Sequence, residues 1–395
     1  MCGGAPGSYG VVVGDDRRER AAAKIVKIAG AATDLASLWR TPTDVLGGVV
    51  RHYWTPCWYT LDPASLLITS HYQYGLPEFP ASWLADEYYG EDVNQLAEIA
   101  VSDTGISTLH EATGGHPDRS PRWHRNMTLG GDQELVARLR TRTGEVWGML
   151  GLYREPGSPM FDAADKAFLR HVAPYLAEGA RRALLLGEAI DPEGPEAPGL
   201  VILTKDWEIA STTPGTQRWL AELPDGGDQL PAAVMSVAGR ALRQADHPEW
   251  TGQVAVARVT SRRGNWIVLH GACLEEPGDR RVAVIIEAAH PARIYPLLMA
   301  AYKLSERERD VTRLVLLGSS TAQIAASLSV SAHTVQQHLK SVFDKTGVHS
   351  RRDLIGKVFF QHYEPRFRDN EHRAAASLPM RGGPARSREP LIPTE

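Results

Sequence analysis

His333, Gln336, Gln337 and Lys340 fall on one side of any helix that contains them, spread over two turns. Their chemistry suits base edges, since Gln pairs bidentately with adenine and Lys reaches guanine. Val335, Leu339, Val342 and Phe343 fall on the opposite side and form an apolar stripe for packing. Lys345, Arg351 and Arg352 follow closely and suit phosphates, as do the N–H groups at a helix start near Ser331 and Thr334. Reaction chemistry is scarce by comparison. The chain has no G-x-x-x-x-G-K-[ST], no G-x-S-x-G and no G-x-G-x-x-G. His110, His116 and His124 lack partners at zinc spacing, so neither a metal site nor a cofactor is evident and no enzyme is expected.

The elements that position this face are short and well marked. Ser305 with Glu308 makes a capping box ahead of Val311, Leu314 and Val315, and Gly318 stops that helix. A second helix runs from Ser320 or Thr321 to Leu328. Three residues, Ser329, Val330 and Ser331, lead into a third helix that ends near Thr346 at Gly347. Ser350, three before Asp353, caps a fourth. A three-residue turn between the second and third helices is helix-turn-helix spacing, in which the later helix enters the major groove.

Charge is partitioned accordingly. The chain of 395 residues has a net charge of -4, yet residues 302–360 carry +4 and residues 1–301 carry -9. A basic module on an acidic body points to nucleic acid at one end. The run Leu304-Ser-Glu-Arg-Glu308, with Gly318, Ile324-Ala325, Leu328, Thr334-Val335, His338, Phe343, Lys345, Gly347-Val348 and Ser350-Arg351, resembles the LuxR-type helix-turn-helix domain. That resemblance implies double-stranded DNA as partner, RNA polymerase as a further one, and base readout at Gln336, Gln337 and Lys340. Many members carry Lys where this chain has Gln336. The DNA contacts expected are Ser331, His333, Thr334, Gln336, Gln337, Lys340, Lys345, Arg351 and Arg352. A face uncharged before Lys340 would bind weakly as one copy, so a homodimer on two half-sites is expected.

Upstream, the fold class expected is multidomain α+β. Asp191-Pro-Glu-Gly-Pro-Glu-Ala-Pro-Gly199 is a linker. Residues 1–20 are expected to be a disordered N-terminus and 21–190 an α/β sensor domain. In the latter, Trp58–Leu61 and Leu66–His71 read as strands, Glu134–Arg142 and Glu145–Tyr153 as a hairpin, and Phe161–Leu186 as a closing amphipathic helix. Trp147-Gly-Met-Leu-Gly-Leu-Tyr-Arg154 before Phe161 and that helix resembles a GAF domain. Residues 200–290 alternate two strands, helices and three strands, an order similar to a PAS-like α+β domain. Residues 291–302 would connect it to the four-helix LuxR-type domain at 303–360, followed by a disordered tail at 361–395.

Aromatic residues crowd the first domain. Trp54, Trp58, Tyr72 and Tyr88 are candidate walls for an unidentified small-molecule effector, with core packing as the plainer alternative. Val11-Val-Val-Gly-Asp15-Asp16 and Asp62 imitate a phosphorylatable receiver, but no Lys occurs between Lys27 and Lys166. Three widely spaced cysteines (Cys2, Cys57, Cys273) fit a reducing cytoplasm, and neither a secretory signal nor a membrane span is expected. The sequence reads as a cytoplasmic one-component transcription regulator. The alternatives are a protein-interaction adaptor with a degenerate helix-turn-helix or a small-molecule enzyme.

Overall fold

A computed structural model describes residues 9–32, 34–72, 79–186, 197–227, 229–249, 254–276, 279–289, 302 and 304–355. Two five-stranded antiparallel sheets and a C-terminal helical module make a mixed α/β chain. The linker stretch 191–196, most of the connecting segment 291–302 and the tail 361–395 lie outside the described residues.

The first sheet is built from β1 (Cys57–Leu61), β2 (Ile68–Tyr72), β3 (Ile106–Thr108), β4 (Gln133–Arg140) and β5 (Val146–Arg154), in the order β2-β1-β5-β4-β3. One face is covered by α1 (Tyr9–Ala31), α2 (Leu35–Gly47) and α7 (Ala163–Leu186), burying Ile25, Leu38, Trp39, Leu46, Phe168, Leu169, Val172 and Leu176. Fully burying such side chains stabilises by about 1.5–3 kcal/mol each. The other face carries α3 (Ser82–Tyr89), α4 (Leu96–Val101), α5 (Leu109–Ala112) and α6 (Pro121–Thr128) near its edge. Helix α1 begins at Tyr9, which corrects the expectation of disorder over residues 9–20; residues 1–8 lie outside the described residues. Residues 9–20 contain no proline, Asp16 pairs with Arg20 one turn on, and Arg18 reaches Asp165 of α7 at 3.3 Å. Helix α2 starts at Asp34, whose carboxylate accepts from Ser37 N at 2.8 Å.

The second sheet repeats the strand order of the first. Its strands β6 (Gly199–Leu203), β7 (Ile209–Thr212), β8 (Val256–Thr260), β9 (Trp266–Glu276) and β10 (Asp279–Ala288) run β7-β6-β10-β9-β8. Helices α8 (Thr216–Glu222) and α9 (Ala232–Asp246) cover its inner face. Every residue of α9 from Ala232 to Leu242 is buried, because the helix is clasped by its own sheet on one side and by α3 on the other. The crossing is so close that a Cβ on Gly239 would stand 2.1 Å from the Ala85 carbonyl oxygen. Only glycine permits that approach.

Polar contacts lock the same junction. Ser236 Oγ donates to Ile68 O at 2.8 Å, and Asp225 accepts from the backbone of His71 and of Ala232. Asp62 is fully enclosed; it holds Arg258 through Nε and Nη2, both at 2.8 Å, and accepts from Arg258 N at 2.9 Å. One continuous apolar core therefore runs through both sheet units.

The C-terminal module comprises α10 (Glu306–Leu316), α11 (Thr321–Leu328), α12 (Ala332–Thr346) and a helical stretch at 351–355. Leu304, Val311, Val315, Ile324, Val335, Leu339, Val342, Val348 and Leu354 form its core. Val268 and Ala289 of the second sheet unit join that core, with Trp266 and Val256 packed at its margin.

Candidate nucleic-acid interface and sensor cavity

Caps at both ends of its helices set the geometry of the helical module. Ser305 and Glu308 complete a reciprocal capping box on α10, and Ser320 with Gln323 forms another on α11. Ser329 closes α11 in the left-handed region at φ 55°, and Ser331 caps α12 by accepting from Thr334 N at 3.0 Å. The turn is thus the three residues anticipated. Gly347 ends α12 at φ 66°, where a side chain would be strained.

Glu308 fastens α10 to α12. Its carboxylate accepts from Ser305 N, Ser341 Oγ and Lys345 Nζ, each at 2.6 Å. Burial alone would raise its pKa, but those donors overrule it and hold the carboxyl at about 2.

The outer face of α12 is open. His333, Gln336, Gln337 and Lys340 are exposed, while Val335, Leu339 and Val342 are buried. Gln337 Nε2 lies 3.1 Å from His333 Nε2, and Gln336 Nε2 donates to Thr321 Oγ1 at 3.3 Å. Ser331 and Thr334 share their hydroxyls at 2.8 Å over the helix start. Lys345 is drawn sideways to Glu308. Arg351 donates to Ser319 O at 2.7 Å and pins the loop before α11, while Arg352 is exposed. The nine expected residues therefore divide into four on the exposed polar face of α12, two cap hydroxyls, two cations engaged within the module, and the exposed Arg352.

Residues 302–358 match the family described as bacterial regulatory proteins, luxR family. The C-terminal module is a LuxR-type helix-turn-helix domain. That family is one of DNA-binding transcription regulators, so DNA is the partner its fold implies. Among the described residues, no helix is long and apolar enough to cross a membrane and no cluster of His, Cys, Asp and Glu could hold a metal ion.

The first sheet unit holds a cavity of about 60 Å³ between β1, β5, α3 and α6. Trp54, Cys57, Tyr59, Phe79, Trp83 and Tyr153 supply an apolar wall, and Glu87, Arg122, Arg125 and Asn126 a polar end. Of the four aromatic residues singled out from sequence, only Trp54 borders it. Trp58 faces the opposite side of β1, stacks on Trp39 at 5.0 Å and donates to Thr43. Tyr72 lies on that same side with Arg40 donating to its hydroxyl, and Tyr88 is core, donating to Leu66 O at 2.8 Å beneath Arg240. Strand alternation explains the slip, since the neighbours of Trp58, Cys57 and Tyr59, point inward instead.

The polar end was missed because its members are distant in sequence. Arg122 pairs with Glu87 and, at 3.2 Å, with Glu134, which also accepts from Asn94. A single guanidinium serves two carboxylates, and burial pushes Glu87 above the usual carboxylate range despite it. Among the described residues, Arg122 Nε and Asn126 Nδ2 are buried without a hydrogen-bond partner. Burial pushes the Cys57 thiol up to about 12, so it is protonated and a poor nucleophile at neutral pH.

Among solved structures, the chain is similar to a phycoerythrobilin-bound GAF domain from a cyanobacterial phytochrome, at 15% identity over 44% of this chain and 96% of that one, with a TM-score of 0.28. It is also similar to the E. coli DhaR(N)-DhaL complex, at 13% identity over 72% of this chain and 91% of that one, with a TM-score of 0.21.

Proposed function

We propose that the protein is a cytoplasmic, one-component, sequence-specific transcription regulator that binds double-stranded DNA as a homodimer. The observation carrying this is the exposed His333-Gln336-Gln337-Lys340 face on a helix that is capped at both ends and packs its opposite face into the core of the module. Gln336, Gln337 and Lys340 read base edges; Arg352 and the N–H groups of the α12 start take phosphates. In vitro selection on randomised duplexes should return two half-sites. Substituting Lys340 or Gln337 by Ala should then cost about 1–3 kcal/mol on the selected site. Unchanged binding to every sequence by both variants would defeat the assignment.

The upstream units act as the sensor, the first GAF-like over 21–190 and the second PAS-like over 200–290. Support comes from the cavity and from α3, which lines it through Trp83, Leu84 and Glu87 while packing on α9 through Ala85. The unpartnered donors Arg122 Nε and Asn126 Nδ2 favour a small effector that carries a hydrogen-bond acceptor beside an apolar ring. Drug-sized ligands occupy roughly 300–1,000 Å³, so a bulky effector would have to move α3. Such a shift would be passed to α9, to the second sheet and to the LuxR-type domain docked on it. Native mass spectrometry of the purified chain tests this, with Trp54→Ala and Asn126→Ala expected to lose the bound molecule.

A further inference from the structure

A second cleft, of about 390 Å³, opens at the far end of the first sheet. The hairpin of β4 and β5 brings Arg138, Arg140 and Arg142 to it, and Arg170 of α7 faces them. No Asp or Glu lines it, although residues 1–301 carry -9 overall. Three of these side chains are anchored through neutral groups alone. Arg138 donates through Nη1 to Ala100 O at 2.9 Å and Ser102 O at 2.7 Å; Arg140 donates to Gly144 O at 2.9 Å. Arg142 reaches Tyr175 Oη at 3.1 Å and lies over its ring. A guanidinium has five N–H donors, so most of each remains available.

Among the described residues none of the four forms an ion pair. Glu145 stands behind the cleft-lining Thr141 and Thr143, accepting from both hydroxyls, and its other oxygen lies 3.4 Å from Arg309 of α10. Asp103 and Glu111 act on Arg138 and Arg170 from the margin. The position of Arg138 is built in, because a Cβ on Gly105 would stand 2.6 Å from its Nε. Burial, and then the charge of Arg140, hold the Arg138 guanidinium below its ordinary value. Crowded like charges of this kind are relieved by an anion.

We propose that this cleft binds a phosphate-bearing anion with at least two phosphate groups. Planar guanidinium forks match phosphate oxygens bidentately, and the volume is that of a small-molecule site. The phosphates come either from a free nucleotide-like molecule or from the DNA backbone beside the bound site. The site stands independently of how α12 reads bases.

The test is calorimetric titration of the full chain with inorganic pyrophosphate, alongside binding of a random-sequence DNA duplex across a salt series. If a free nucleotide-like anion is the source, wild type should bind pyrophosphate saturably. Arg170→Ala, on the exposed surface of α7, should weaken it at least tenfold, and the Arg140→Ala/Arg142→Ala pair should abolish it. Arg119→Ala, an equal charge change at an exposed position outside the cleft, should leave it within twofold. If DNA is the source, the paired variant and Arg170→Ala weaken duplex binding and flatten its salt slope by about one unit per lost contact, whereas pyrophosphate binding is slight throughout. Cleft variants that match Arg119→Ala towards both probes would overturn the proposal. Arg170→Ala keeps the experiment decisive should the paired variant fail to fold.

Discussion

Replacing Glu308 by Gln should loosen α12 without touching its exposed polar face. The carboxylate is buried at 5% exposure and receives the Ser305 N–H, the Ser341 hydroxyl and the Lys345 ammonium. Its pKa of about 2, against an ordinary 4.5, corresponds to about 3 kcal/mol of native-state stability by proton linkage. The folded-state value is depressed, so this stability is fully present above about 4.5 and disappears as the pH falls toward 2. Gln keeps the shape but loses the charge. Hydrogen exchange of the amides in 332–346 at pH 7 should therefore accelerate about a hundredfold in Glu308→Gln, while α7 amides stay as protected as in wild type. The wild-type domain should lose its extra protection between pH 4.5 and 2, and the variant should show no such step. A change below threefold at pH 7, or the same acid step in both proteins, would refute the role given to this carboxylate.

Asp62→Ala should cost about 3–5 kcal/mol in urea unfolding of the two-sheet body, because it strips the carboxylate from Arg258 in an enclosed site. Asp62→Ala/Arg258→Met should recover much of that loss. Gly239→Ala should cost about 1–3 kcal/mol by prising α9 from α3, seen as a lowered melting temperature. His71, whose ring is held neutral by burial with a pKa of about 3, should make the body lose stability as the pH falls from 6.5 towards 3. His71→Phe should flatten that acid limb, measured by thermal unfolding at stepped pH. Native protein at pH 7.5 should leave Cys57 unmodified by iodoacetamide while denatured protein reacts fully, as a thiol pKa near 12 requires.

The LuxR-type domain was legible because its instructions are local. Ser305 to Glu308, Ser329 to Ser331 and Gly347 act within a few residues, and each cap appears as the spacing dictates. The hairpin around Thr143-Gly144 was legible for the same reason. The cavity was not. Trp58 and Cys57 are adjacent, and which of them points inward depends on the register of β1 against β5. Arg122, Glu87 and Glu134 meet only after α3, α6 and β4 are assembled, and no periodic signal marks them. Fusion of the two sheet units was equally hidden. The proline-rich stretch before Gly199 marks a boundary along the chain, whereas the α3–α9 contact ignores it.

The Asp62–Arg258 pair spans 196 residues, which has a consequence during synthesis. At about 5–20 residues per second, roughly 10–40 s separate the appearance of the two side chains. Throughout that interval the nascent first unit holds a carboxylate meant for burial, and for most of it the bare flank of α3 where α9 will dock. Its growing chain must wait, with an incomplete wall facing water, until the second half arrives to finish it.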